Sequence, residues 1–105
     1  MNPPFVDTVQ REIAEEKADA LARAGERLQH ALERFRKLEQ RTARSPHPRA
    51  QRERLLWDLA ERVQALIVQR EACGLRDSHY VLAFYGVPKE AVARIGAKRP
   101  AASPA

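Results

Sequence analysis

Arg70 is the residue whose type and position are hardest to explain as ordinary surface. Leu55, Leu56, Leu59, Ala60, Val63, Leu66, Ile67 and Cys73 recur at helical spacing, and Arg70 falls inside their arc. A guanidinium on such a face needs a carboxylate or several carbonyl acceptors, because an unpaired buried charge is severely penalised. Asp77 lies just beyond Gly74 and is one of two acids after Glu71, the other being Glu90. Two readings fit this spacing. In the first, Arg70, Cys73, Gly74 and Asp77 form a structural junction: Arg70 contacts the Asp77 carboxylate or the carbonyls of the turn, and so fixes the angle of the C-terminal helices. In the second, Arg70 holds an anionic ligand in a pocket.

Cys73 and His79 have the residue types of a nucleophile and its base. The cysteine sits at a helix C-terminus, where the dipole disfavours a thiolate, and no strand, elbow or glycine-rich loop accompanies it. It reads as a buried, inert thiol. A single cysteine also excludes an internal disulfide framework and a multi-cysteine zinc site. His30 has Glu26 and Glu33 within a turn, and His47 lies between two prolines, but neither set reaches the ligand count of a structural metal. No catalytic residue, metal or cofactor is assigned, and the chain reads as no enzyme.

Charge offers a second candidate. The net charge is +5, but its distribution says more. From Asp7 to Glu33 there are seven acids and four bases; from Arg34 to Arg54 there are eight bases and two acids. In a helical hairpin that second stretch forms the tip. Arg41, Arg44, Arg49 and Arg52 would there present a surface suited to nucleic acid, another polyanion or an acidic protein patch. The competing reading is a solvated arginine-rich turn, or a tip neutralised by carboxylates of a second subunit. Leu82, Gly86 and Val92 also have the spacing of a helix-turn-helix core. The helix after them offers only Lys89, Glu90, Ala93 and Arg94 to a groove, with no Asn, Gln, Ser or Thr for base edges, so a short packing hairpin is the better reading.

The elements that must position these residues are helical. Val6, Val9, Ile13, Ala20, Leu21, Ala24, Leu28, Ala31, Leu32, Phe35 and Leu38 follow a 3.6-residue period, which predicts one helix over residues 6–44. Gly25 inside it costs about 1 kcal/mol relative to alanine, which fits either close approach of a partner helix or a simply tolerated glycine. The segment Ser45–Pro46–His47–Pro48 ends that helix, and a second is expected over 48–73, with Gly74 as a left-handed cap. Asp77 or Ser78 can cap a third helix over 78–85, stopped by Gly86, and Pro88 can open a fourth over 88–95.

The expected fold is therefore all-α: a long antiparallel hairpin with two short C-terminal helices packed back on it. Residues 1–96 form one domain and 97–105 a disordered tail. The second helix is too short to cover Val6, Val9 and Ile13, and the C-terminal helices are expected to fold over them. So small a layer buries little, so a homodimer completing a four-helix bundle is expected. At 105 residues and 44% apolar composition, with no run long enough to span a bilayer, the chain reads as a single small domain with no membrane segment. Met1–Asn2–Pro3–Pro4 is no signal peptide, which makes the cytoplasm the expected location.

The stretch from Gln69 through Arg70, Cys73, Gly74 and Asp77 to Ser78, followed by Tyr85–Gly86–Val87–Pro88, resembles a family of small bacterial proteins. The resemblance extends more loosely to Glu12–Leu21 and Trp57. That family is known only as a domain of unknown function and is seen mainly in proteobacteria. The resemblance implies an all-helical fold and no particular reaction, cofactor or substrate. The expected role is a non-enzymatic interaction or assembly module, with polyanion binding through the Arg34–Arg54 tip as the alternative.

Overall fold

The computed structural model describes residues 4–42 and 49–101. It is all-α, with α1 over Pro4–Thr42, α2 over Arg49–Ala72, α3 over Ser78–Tyr85 and α4 over Lys89–Val92; among the described residues there is no strand. Arg44 and the proline-bearing connection lie outside the described residues.

α1 and α2 run antiparallel. Arg52 near the start of α2 reaches Glu39 near the end of α1, and Cys73 just past α2 reaches Lys17. Ala24, Leu28, Ala31, Leu32 and Phe35 of α1 close on Leu56, Leu59, Val63 and Leu66 of α2, and Val81 and Ala91 complete this core from α3 and α4. Leu28, Leu56, Leu59 and Val63 are fully buried. Burial of this kind stabilises by about 1.5–3 kcal/mol for each large aliphatic side chain. The small side chains Ala24 and Ala31 let the helix backbones approach.

Gly74 ends α2 as expected. It has φ +84°, the N–H of Leu75 reaches back to the Arg70 carbonyl at 2.9 Å, and that of Gly74 to Glu71 at 2.9 Å. This pattern satisfies two orphan carbonyls and needs a left-handed residue, which glycine adopts without penalty. Asp77 then caps α3, its carboxylate accepting the Tyr80 N–H at 3.2 Å. Gly86, also left-handed at φ +63°, closes α3. The fourth helix is shorter than expected: beyond Val92 the chain tightens into turns in which Arg94 bonds to Ala91 and Ile95 to Val92.

One packing expectation is overturned. The C-terminal helices do not cover the N-terminal third of α1. They fold back toward the hairpin tip, so that Tyr85 lies beside Gly25 and Arg36, and Glu90 beside Arg52. The middle of the hairpin offers Leu28, Leu32, Phe35, Leu56 and Val63, a far larger apolar target than Val6, Val9 and Ile13. The first turns of α1 are left as a projecting arm, with Val9 36% and Ile13 47% exposed.

Candidate functional site

At the junction the sequence expectation is corrected. Arg70 is half-exposed, and among the described residues no hydrogen bond or ion pair joins its side chain to Asp77 or to the carbonyls of the turn. The Asp77 carboxylate is engaged by the α3 backbone instead. The guanidinium lies over the Tyr80 ring, 5.6 Å from its centroid. Asp77 and Arg70 thus both meet Tyr80, one at its backbone and one at its ring. The reason is geometric: α2 is ending at Arg70, so the face that is closed core at Val63 has become a rim. Cys73 is half-buried rather than buried, and its thiol points to the Lys17 carbonyl at 3.7 Å.

Arg70 lines a cleft of about 340 Å³ between α1 and α3. One wall is aromatic. Tyr80 and Phe84 stack with centroids 5.6 Å apart at 24°, and Phe84 meets Tyr85 edge-on at 5.0 Å. The opposite wall is α1, where Ala22 and Gly25 leave room and Glu26 and Gln29 stand at the edge. Leu21, Leu66 and Val81 lie at the base. Tyr80 is 53% and Phe84 65% exposed. The cleft thus places exposed rings beside a cation with no carboxylate partner among the described residues.

The hairpin tip is less available to polyanions than its charge implies. Arg52 bonds to Glu39 at 2.9 Å and makes a two-pronged contact with Glu90 of α4, while its guanidinium lies 5.5 Å from the Phe35 ring centroid. Its pKa is raised further by the hydrogen bonds it donates to Glu90 and then Glu39, and that of Glu90 is lowered by the bond it accepts from Arg52. Carboxylates of the same chain neutralise Arg52. Of the other candidate contacts, Arg41 and Arg49 are exposed, and Arg44 lies outside the described residues. Arg94 bonds to Glu53 at 2.8 Å and covers the Trp57 ring at 5.8 Å. Glu90 and Arg94 therefore face α2. The helix-turn-helix comparison fails on this point, because two of the groups counted for a groove are committed to the protein.

Part of the C-terminal tail is placed. Arg99 bonds to Asp58 at 3.0 Å and Glu61 at 3.4 Å, which raises its pKa, Asp58 contributing first. The Gly96 N–H donates to the Gln64 side chain at 3.2 Å. Gly96 and Arg99 thus reach α2, while residues 97–101 are exposed and without regular structure; residues 102–105 lie outside the described residues.

The ion pairs Arg52–Glu90, Arg94–Glu53 and Arg99–Asp58 join residues roughly forty positions apart, beyond the reach of helical periodicity. The local signals for the cleft were Arg70 and Gly25, which both line it. Among the described residues, no group of three or more His, Cys, Asp or Glu is placed to hold a metal ion. No described helix is long and apolar enough to cross a membrane. No known protein family, curated protein or solved structure matches the chain.

Proposed function

We propose that this chain is a non-enzymatic helical interaction and assembly module that works in the cytoplasm as a homodimer. The observation that carries this reading is the arm. Val6, Val9 and Ile13 continue the stripe by which α1 packs on α2, yet α2 ends opposite Lys17 and leaves Val9 and Ile13 exposed. A second copy would extend the hairpin into a four-helix bundle. From Asp7 to Asp19 the arm carries five acids and two bases, so two arms repel each other at low salt. Gel filtration with light scattering at micromolar concentration should give twice the 11.9 kDa monomer mass, more completely as salt is raised. Ile13→Asp should return the monomer. A monomer that persists at high salt rejects this assembly.

A second reading retains polyanion binding at the tip, supported by the exposure of Arg41 and Arg49. Arg52 contributes little to it, being held by Glu39 and Glu90. Changing Arg41, Arg44 and Arg49 to Gln should abolish binding to a nucleic-acid duplex, and wild-type binding should fall steeply with salt. No binding at low ionic strength removes this reading.

A further inference from the structure

We infer that the cleft between α1 and α3 binds a flat, apolar monoanion, an aromatic carboxylate, with Arg70 holding the carboxylate and the Tyr80–Phe84 wall holding the ring. This site lies apart from the arm and does not depend on the assembly proposed above.

Three features define the ligand. Among the described residues the Arg70 guanidinium is bonded to no carboxylate, although Asp77 is close in sequence; Asp77 is engaged at the Tyr80 N–H. Its donors remain for a ligand, and arginine pairs with a planar carboxylate through a two-pronged contact. The Tyr80 and Phe84 rings stack on one another within 24°, with the Arg70 guanidinium over Tyr80, and being more than half exposed they offer apolar surface to a flat ring. The facing wall is lowered at Ala22 and Gly25, where side chains of ordinary size would fill the space between α1 and α3. The volume of about 340 Å³ lies in the range of small-ligand sites.

Charge narrows the class. Among the described residues, Arg70 is the only cation lining the cleft and Glu26 the only anion. A cationic ring would have to lie against Arg70. A phosphate dianion would bring two charges to one arginine in the presence of a carboxylate. A single carboxylate placed toward Arg70 and away from Glu26 avoids both conflicts.

The test uses the full chain and three probes of one shape: 2-naphthoate, neutral 2-naphthamide and 2-naphthyl phosphate. Binding is followed by the amide resonances of Gly25, Arg70 and Tyr80 in nitrogen–proton NMR spectra. The expected result is saturable shifts with 2-naphthoate and about tenfold weaker binding of the amide, the scale of one charge-assisted contact. The phosphate should bind no better than the amide. Arg70→Gln should bring naphthoate down to the amide's affinity, whereas Phe84→Ala should weaken both alike. Ala22→Leu, an exposed helix position that accepts leucine, should fill the cleft and abolish binding with the circular dichroism spectrum unchanged; this variant decides the matter if Arg70→Gln unfolds. Equal affinities for naphthoate and naphthamide, naphthoate binding undiminished in Ala22→Leu, or no saturable shift with any probe would overturn the assignment.

Discussion

The hydroxyl of Tyr85 stands 3.1 Å from the point where a side chain on Gly25 would begin. α1 carries a glycine in the middle of a long helix at the point where α3 brings an aromatic tip against its backbone. A glycine at such a position costs about 1 kcal/mol of helix propensity relative to alanine, and the close approach of Tyr85 explains why it is tolerated.

This contact predicts a coupling. Gly25→Ala alone should gain less than the roughly 1 kcal/mol expected at an open helix site, since Tyr85 must give way by a few tenths of an ångström. In a Tyr85→Leu background the propensity gain should be recovered in full. Urea unfolding of the four proteins measures the cycle, and strict additivity would mean that Tyr85 does not hold this position.

Arg52 joins α1, α2 and α4 through Glu39 and Glu90. Arg52→Gln should lower stability by about 1 kcal/mol, the upper end for solvent-accessible pairs, because a two-pronged contact within a network exceeds an isolated pair. Arg52→Lys should restore only part of this. The difference between wild type and Arg52→Gln should shrink in high salt. A loss that does not respond to salt would assign the effect to packing over Phe35.

The same cluster sets a pH dependence. The bond to Arg52 holds the Glu90 pKa below its ordinary value of 4.5. A carboxylate with a depressed folded-state pKa stabilises fully above its unfolded value, and that contribution fades as pH falls through 4.5 toward the lower folded value. Glu90→Gln should therefore flatten the fall in melting temperature over that acidic range and leave the profile above about pH 6 nearly parallel to wild type. An unchanged acid limb would show that other carboxylates dominate it.

Asp77 distinguishes a cap from an ion pair. Asp77→Ala should cost about 1 kcal/mol, as for loss of a helix N-cap. Asp77→Asn should cost much less, because the amide oxygen still accepts the Tyr80 N–H. Pairing with Arg70 would instead make Asn nearly as damaging as Ala, so chemical denaturation of both variants decides between them.

Much of the fold was legible in the residues. The period of Leu21, Leu28, Leu32 and Phe35 specifies a helix with a buried face, and Gly74, Asp77 and Gly86 mark where helices stop and start. These signals are local, because hydrogen-bonding partners and apolar neighbours on one helix lie within a few positions of each other. They placed three of the four helices to within about two residues, the usual uncertainty of helix ends. The fourth was cut short because its last turn tightens after Val92.

Where the C-terminal helices fold was not legible. α3 had two apolar targets on α1, and nothing in the residues flanking Tyr85 shows that it packs at Gly25 rather than at Val9. The same holds for Arg70 and Asp77: spacing alone permitted their ion pair, but the turn at Gly74 sends α3 off so that Asp77 meets a backbone N–H and Arg70 a ring. The residues themselves determined the helices, their caps and the uneven charge. Only the tertiary structure decided that the C-terminal helices leave Val9 and Ile13 uncovered, that Arg52 is neutralised by Glu90, and that Arg70 opens onto a cleft. Those outcomes depend on which apolar surfaces compete best for burial across the whole chain, and that competition leaves no local pattern.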